Sequence, residues 1–204
     1  FASFLGTLFS DEGSASIDTG KTIKLAIGTS TPSVHSVTSD GSGDFTFSDI
    51  SPDNINATTS ILAWVEDGST TYAAAFTIAS SSSGINGLDL YQDRVIVRHE
   101  SLLSVSPEDM MFYDNSDNSS IQFEASSTTL DVFSGQELHI WTGDTFEAAG
   151  MVTLQGNAAT APDGDLHLDD GSTFRAKGGL SIAGSLTEDN GAWFYNFAST
   201  TFTA

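Results

Sequence analysis

Polar and apolar positions along the chain fall into short alternating runs, the period of half-buried strands rather than of helices. Residues 1–9 predict a strand, with Leu5 and Phe9 among small and apolar neighbours, closed by an acidic, glycine-bearing turn at 10–13. Residues 21–27 alternate most cleanly, placing Ile23, Leu25 and Ile27 on one face and the lysines on the other. A short strand is expected at 34–37. A glycine-rich acidic turn in 38–50 then feeds a strand that buries Phe45 and Phe47. Residues 60–66 and 71–78 predict a hairpin around Asp67-Gly68, with Trp64 as its large anchor. In 87–100, Val95 and Val97 share one face while Arg94, Ile96 and Arg98 share the other. Only 107–111 permits a helical turn, capped by Ser106. Residues 121–125 and 130–133 read as an irregular rung ahead of more regular ones.

That regularity is a repeat. Residues 137–156 align without a gap on 165–184, an offset of 28, with eight of twenty positions identical: Leu138/166, His139/167, Gly143/171, Thr145/173, Phe146/174, Ala148/176, Gly150/178 and Gly156/184. A third copy is expected at the same offset, setting Thr201-Phe202-Thr203-Ala204 under Thr173-Phe174-Arg175-Ala176, so that the sequence would stop inside a repeat. Strand-turn units of this length cannot bury their apolar faces alone and stack on one another. A unit cut short would leave an open strand edge that templates pairing with another molecule.

The expected fold is all-β: an immunoglobulin-like antiparallel β-sandwich over residues 1–82, then a β-solenoid-like domain of stacked strands over 83–204. The serine-rich stretch 80–84 marks the boundary. Gly6-Thr7-Leu8-Phe9 and the run Thr38…Asp40-Gly41…Gly43-Asp44-Phe45-Thr46-Phe47…Ile50 resemble the transthyretin-like, carboxypeptidase-regulatory-like family of immunoglobulin-type domains. Such a resemblance, over about 80 residues, implies a non-catalytic spacer in a secreted or surface protein. The run 88–100 and the Leu-His…Thr-Phe…Gly repeat are similar to repeat tracts of very large β-rich bacterial surface proteins, which implies location more than activity.

Composition narrows the partners. Six Lys and Arg against 27 Asp and Glu give a formal net charge of −21, so nucleic acid and anionic membranes are repelled. The sequence contains no cysteine, which removes disulfides, thiol catalysis and thiolate metal sites. No apolar run reaches the roughly 20 residues of a spanning helix.

Acidic loops offer hard oxygen ligands, and calcium is the one cofactor they suggest. The candidates are Asp114, Ser116, Asp117 and Asn118 in one loop, and Asp163 and Asp165 in another. The first lacks the glycine and glutamate of an EF-hand, and Asp, Asn, Gly and Ser are also ordinary turn residues. His139 and His167 share one repeat position and should stack in register, where a metal could join them. No third ligand recurs at that spacing, and protonated imidazoles side by side predict a loss of stability in mild acid. Asn56 and Asn118 begin N-glycosylation patterns. Asp93, Arg94, Arg98, His99 and Glu100 are the nearest thing to a catalytic grouping, but alternation splits them over two faces, and no enzyme is expected.

Both ends are aromatic. Phe1, Phe4, Leu5 and Phe9 at one, and Trp193, Phe194, Phe197 and Phe202 at the other, are candidates for assembly by strand exchange, the first strand of one copy completing the last repeat of the next. The sequence thus points to a non-enzymatic extracellular or cell-surface subunit that assembles head-to-tail with copies of itself into a filament or layer. The alternative is an adhesin or carbohydrate-binding module with Trp141 and Trp193 as a glycan platform.

Overall fold

A computed structural model describes residues 1–10, 15–17, 20–66, 71–156 and 164–203. The chain is nearly all β, in several sheets, with no closed barrel among the described residues. Its first strands are β1 (Ala2–Phe9), β2 (Thr22–Ile27), β3 (Ser33–Thr38), β4 (Asp44–Ile50), β5 (Ser60–Val65), β6 (Ala74–Ile78), β7 (Gly84–Asn86), β8 (Leu90–Tyr91) and β9 (Arg94–Val97). Strand β2 pairs antiparallel with β3 and β5, and β5 with β6. The turn at Asp67-Gly68 lies outside the described residues. A second layer is built on β1, antiparallel to β4 on one side and parallel to β7 and β8 on the other. Phe45 and Phe47 of β4 are buried as their alternation predicts.

Beyond β9 come β10 (Ser104–Val105), the helical turn α1 (Pro107–Met110), β11 (Phe123–Ala125) and β12 (Leu130–Val132). Asp109 Oδ2 accepts hydrogen bonds from the backbone N–H and hydroxyl of Ser106, fixing the start of that turn. Three similar rungs follow: β13 (Glu137–Ile140), β14 (Thr145–Ala148) and β15 (Val152–Leu154); β16 (Leu166–Leu168), β17 (Thr173–Ala176) and β18 (Leu180–Ile182); and β19 (Leu186–Glu188), β20 (Trp193–Asn196) and β21 (Thr200–Phe202). Corresponding strands stack in parallel, giving three ladders: β9-β13-β16-β19, β10-β14-β17-β20 and β12-β15-β18-β21. Strand β11 pairs antiparallel with β12 and covers the near end of the last ladder.

Between the first two regular rungs the 28-residue offset holds, with Leu138 on Leu166 and Phe146 on Phe174. The third rung corrects the expected register. Phe194, not Phe202, lies on Phe174, and Phe202 lies on Ile182, an offset of 20. The difference sits at one corner: Leu154 to Leu166 spans 12 residues, whereas Ile182 to Leu186 spans four. A rung is therefore about 20 residues, one corner can carry an eight-residue insertion, and the last rung supplies all three of its strands.

The corners explain the repeated glycines. Gly143, Gly171 and Gly191 take φ of 74°, 68° and 75°, a left-handed turn repeated rung by rung. At another corner a Cβ on Gly178 would sit 2.6 Å from Gly150 Cα, so the backbones pass too closely for a side chain.

The parallel pairing of β6 with β9 joins both halves in one eight-stranded sheet, ordered β19-β16-β13-β9-β6-β5-β2-β3, which crosses the serine-rich stretch at 80–84. Every residue of β5 and β6 is buried, as befits central strands covered on both faces. Leu62, Trp64, Ala74, Phe76, Val95 and Val97 face the interior of the stacked rungs, while Ile61, Ala63, Val65, Ala75 and Ile96 face the β1–β4 layer.

Candidate functional site

Along the eight-stranded sheet, the covering layer stops at Tyr91 of β8, and the outer faces of β13, β16 and β19 emerge beyond it. That step leaves an open groove of about 240 Å³ lined by Tyr91, Arg94, Ile96, His139, Trp141, His167, Asp169 and Asp189. Its chemistry follows from strand alternation. Leu138 and Ile140 turn into the core, so Glu137, His139 and Trp141 turn out; likewise Leu166 and Leu168 turn in, and His167 and Asp169 out. In-register stacking then aligns outward columns, with His139 on His167, and Asp169 and Asp189 at the same place in successive rungs.

The imidazoles lie 4.6 Å apart between ring centroids. Glu137 Oε1 is 3.3 Å from His139 Nδ1 and 3.8 Å from His167 Nδ1, and is itself held by Arg94 Nε at 3.0 Å. On the other side of the rings, Asp169 Oδ2 lies 3.3 Å from His139 Nε2, and Asp189 Oδ2 lies 3.1 Å from His167 Nε2. The Thr142 hydroxyl donates to Asp169 Oδ2 at 2.9 Å. His139 is 6% exposed, and its Nε2 makes no hydrogen bond: Asp169 is near but off-line. Both aromatic walls are held by arginines, Arg94 over Tyr91 at 5.8 Å and Arg98 over Trp141 at 5.7 Å.

Burial works against a charged His139, yet the carboxylates of Asp169 and Glu137 outweigh it and raise the pKa of the ring. Asp169 is lowered in return, chiefly by His139. A group whose folded pKa is raised stabilises the fold fully below its unfolded value and less as pH climbs through the folded one. The loss of stability in acid expected from two adjacent imidazoles is thus reversed in sign for His139, because carboxylates lie on both sides of the pair.

The acidic loops expected to bind calcium are arranged differently. Asp114 is buried; its Oδ1 accepts from the Ser116 N–H and hydroxyl, and its Oδ2 from the Ala125 N–H. Asp117 Oδ2 accepts from the Asp114 N–H, and Asn118 Oδ1 from the Ser120 N–H. These oxygens serve the loop's own backbone. Asp165 Oδ1 accepts from the N–H and hydroxyl of Ser185 in the next rung. Asp163 lies outside the described residues. Among the described residues, the groups with spacing for a metal are Glu137 with His139 and His167, and His167 with Asp169 and Asp189.

The aromatic ends part company. Strand β1 is hydrogen-bonded on both sides within its own chain, with Phe4 fully buried and Phe9 stacked on Tyr91. Phe1 alone is well exposed, and Leu5 pairs with Thr46 and Asn86. The exchange role expected of Phe1, Phe4, Leu5 and Phe9 would require this strand to leave both sets of intrachain pairings. At the other end Phe194 continues the interior stack Phe146–Phe174–Phe194, with ring centroids 5.7 and 5.6 Å apart. Trp193, Tyr195 and Phe197 form an exposed row on the outer face, and Phe202 is 65% exposed.

The residues that come nearest to a catalytic grouping in the sequence take separate partners. Arg94 holds Glu137, Arg98 holds Glu100 at 2.9 Å, and His99 is buried, its backbone N–H donating to Asp144 Oδ2. Asn56 stands in an exposed turn, whereas the Asn118 amide donates to Glu66.

A scan against known protein families finds no matching family, and comparisons with characterised proteins and with solved structures find no match in either.

Proposed function

We propose that this chain is a non-enzymatic structural subunit of an extracellular or cell-surface assembly. In this reading an immunoglobulin-type sandwich covers one end of a three-faced parallel β-solenoid, and the far end is extended by a second copy. The observation that carries it is the difference between the ends. At the near end two of the three ladders are covered, β9 by β6 and β12 by β11, and β10 begins the third, while among the described residues no strand pairs with the outer edges of β19, β20 or β21. That open rung also carries the exposed row Trp193, Tyr195 and Phe197 and a half-covered Phe194, the kind of apolar edge that soluble monomers seldom display.

Geometry sets what kind of assembly could form. Two open rungs meeting one another would close as a two-fold dimer, whereas an open rung meeting the free edge of β3 would repeat without closing. Sedimentation velocity over a concentration series, with negative-stain microscopy of the concentrated sample, separates these outcomes. We expect association that deepens with concentration and is lost on replacing Trp193, Phe197 and Phe202 together by serine. Filaments would support head-to-tail growth, and a dimer would restrict the reading to paired open rungs. A monomer at every concentration would overturn it. Repeating the series with calcium and with a chelator tests whether the acidic loops contribute.

The groove favours a second reading, a carbohydrate-binding module. Trp141 and Tyr91 flank polar side chains there, the arrangement of apolar walls with a few directing groups that ligand sites use. Glycan-array binding by the monomer, abolished by Trp141→Ala, would favour it over assembly.

A further inference from the structure

The groove holds a second, more specific chemistry that does not depend on the assembly reading. We propose that His167, Asp169 and Asp189, joined by His139, form a site for a divalent transition-metal ion of the zinc class. Borderline ions of that class take imidazole nitrogen together with carboxylate oxygen, whereas calcium and magnesium prefer oxygen alone.

The distances suit it. Ligands about 2.0–2.2 Å from a tetrahedral ion stand roughly 3.3 Å from one another. His167 Nε2 and Asp189 Oδ2 are 3.1 Å apart, and His139 Nε2 and Asp169 Oδ2 are 3.3 Å apart. The potential donor atoms of His167, Asp169 and Asp189 all lie within 4.8 Å of one another, and an ion would draw them slightly together. Three protein groups from two rungs, His167, Asp169 and Asp189, would then surround one position at the mouth of the groove, with His139 Nε2 beside the Asp169 carboxylate.

Glu137 selects which nitrogens face that position. Its Oε1 lies beside Nδ1 of both rings, accepting a hydrogen bond from His139 Nδ1–H and leaving Nε2 of His139 on the Asp169 side of the ring. Metal-binding histidines are oriented this way by a carboxylate on the far ring nitrogen. Arg94 fixes Glu137 in turn, and its positive charge makes the Glu137 side of the rings the poorer of the two for a cation. Thr142 orients the Asp169 carboxylate from outside.

A separate observation points to a ligand. His139 Nε2 is a buried ring nitrogen without a hydrogen bond, 3.3 Å from the Asp169 oxygen but out of line with it. Buried polar atoms are nearly always satisfied, and an ion between Nε2 and Oδ2 would satisfy this one.

Calorimetric titration of the full chain with zinc chloride in chelator-treated buffer tests the site, with cobalt(II) as a spectroscopic probe. We expect one saturable zinc equivalent per chain and intense visible d–d bands from cobalt at low coordination number. Asp189→Asn and His167→Ala, both on the outer face, should each weaken zinc binding by about tenfold or more. Asp114→Asn and Asp165→Asn should leave it unchanged. Circular dichroism and a melting curve show that each variant is folded, and Asp189→Asn, which keeps side-chain volume, covers the case in which His167→Ala is not. Absence of saturable zinc binding would overturn the site, as would full zinc affinity in Asp189→Asn or a preference for calcium over zinc. Because zinc binding is read on the monomer, its failure leaves the assembly reading untouched, and a failure to assemble leaves the metal site untouched.

Discussion

Strands β5 and β20 are both apolar, yet they occupy opposite situations. Strand β5 lies in the middle of the eight-stranded sheet, hydrogen-bonded on both edges and covered on both faces, with Trp64 completely buried. Strand β20 ends its ladder, with one edge paired to β17, one face on the interior stack, and its Trp193 and the following Phe197 more than half exposed. The same residue types therefore contribute very different amounts to stability. Position in the stack decides, not hydrophobicity.

The sharpest way to break this comparison is Trp64→Ala. Truncating a fully buried tryptophan costs about 3–5 kcal/mol, and because its core is continuous with Phe174 and Ile182 the loss should be felt in both halves. Denaturation followed by far-ultraviolet circular dichroism should show one transition at lower denaturant; two separated transitions would show that the halves are independent. Gly178→Ala should come next, at about 1–3 kcal/mol, since the new methyl meets the Gly150 backbone, which cannot move aside as a side chain can. Gly171→Ala meets open space and bears only the strain of φ 68°, about 1 kcal/mol, so reversal of that order would refute the close-approach argument.

A pH effect of about 1 kcal/mol is expected from Asp144. The residue is 1% exposed, Oδ2 accepts from the His99 N–H, and Oδ1 has no hydrogen-bond partner among the described residues. Burial pushes its pKa from 3.8 up to about 6. Between those values the folded chain keeps a proton that the unfolded chain has released, so stability should fall as pH rises through that window and level off above it. Denaturant midpoints at about pH 4, 5, 6 and 7 span that window; Asp144→Asn, which preserves the acceptor, should flatten the slope. The smallest effect belongs to the last rung: Phe202→Ser should change stability by less than about 0.5 kcal/mol. A larger loss in a dilute monomer would mean that the open end is better packed than β5 and β20 suggest.

Much of this was legible in the residues. Alternation placed β2, β4 and β9 and divided Val95 and Val97 from Ile96, because period two is written directly into side-chain chemistry. The repeat placed His139 on His167. It did not reveal Asp189, because an offset of 28 was carried forward across a corner that loses eight residues; at an offset of 20, Asp169 and Asp189 fall into one column. Pairing of β6 with β9 was equally hidden. A parallel contact between strands separated by a serine-rich stretch leaves no local mark, and that contact is what makes one sheet of two differently patterned halves. The exposure of Trp193 and Phe197 follows from the ladder order, which alone reports whether anything lies beside a strand.

The pairing of β6 with β9 also gives the chain a direction in time. Each rung needs the preceding one as its template, and the first can form on an edge that the antiparallel strands have already organised. Growth from that edge follows the order of synthesis, so a nascent chain would add rungs as they emerge instead of searching among registers. Opening should run the other way. Amide hydrogens should exchange fastest on β19–β21, more slowly on β16–β18 and slowest on β5 and β6, a protection gradient laid out along the axis of the stack.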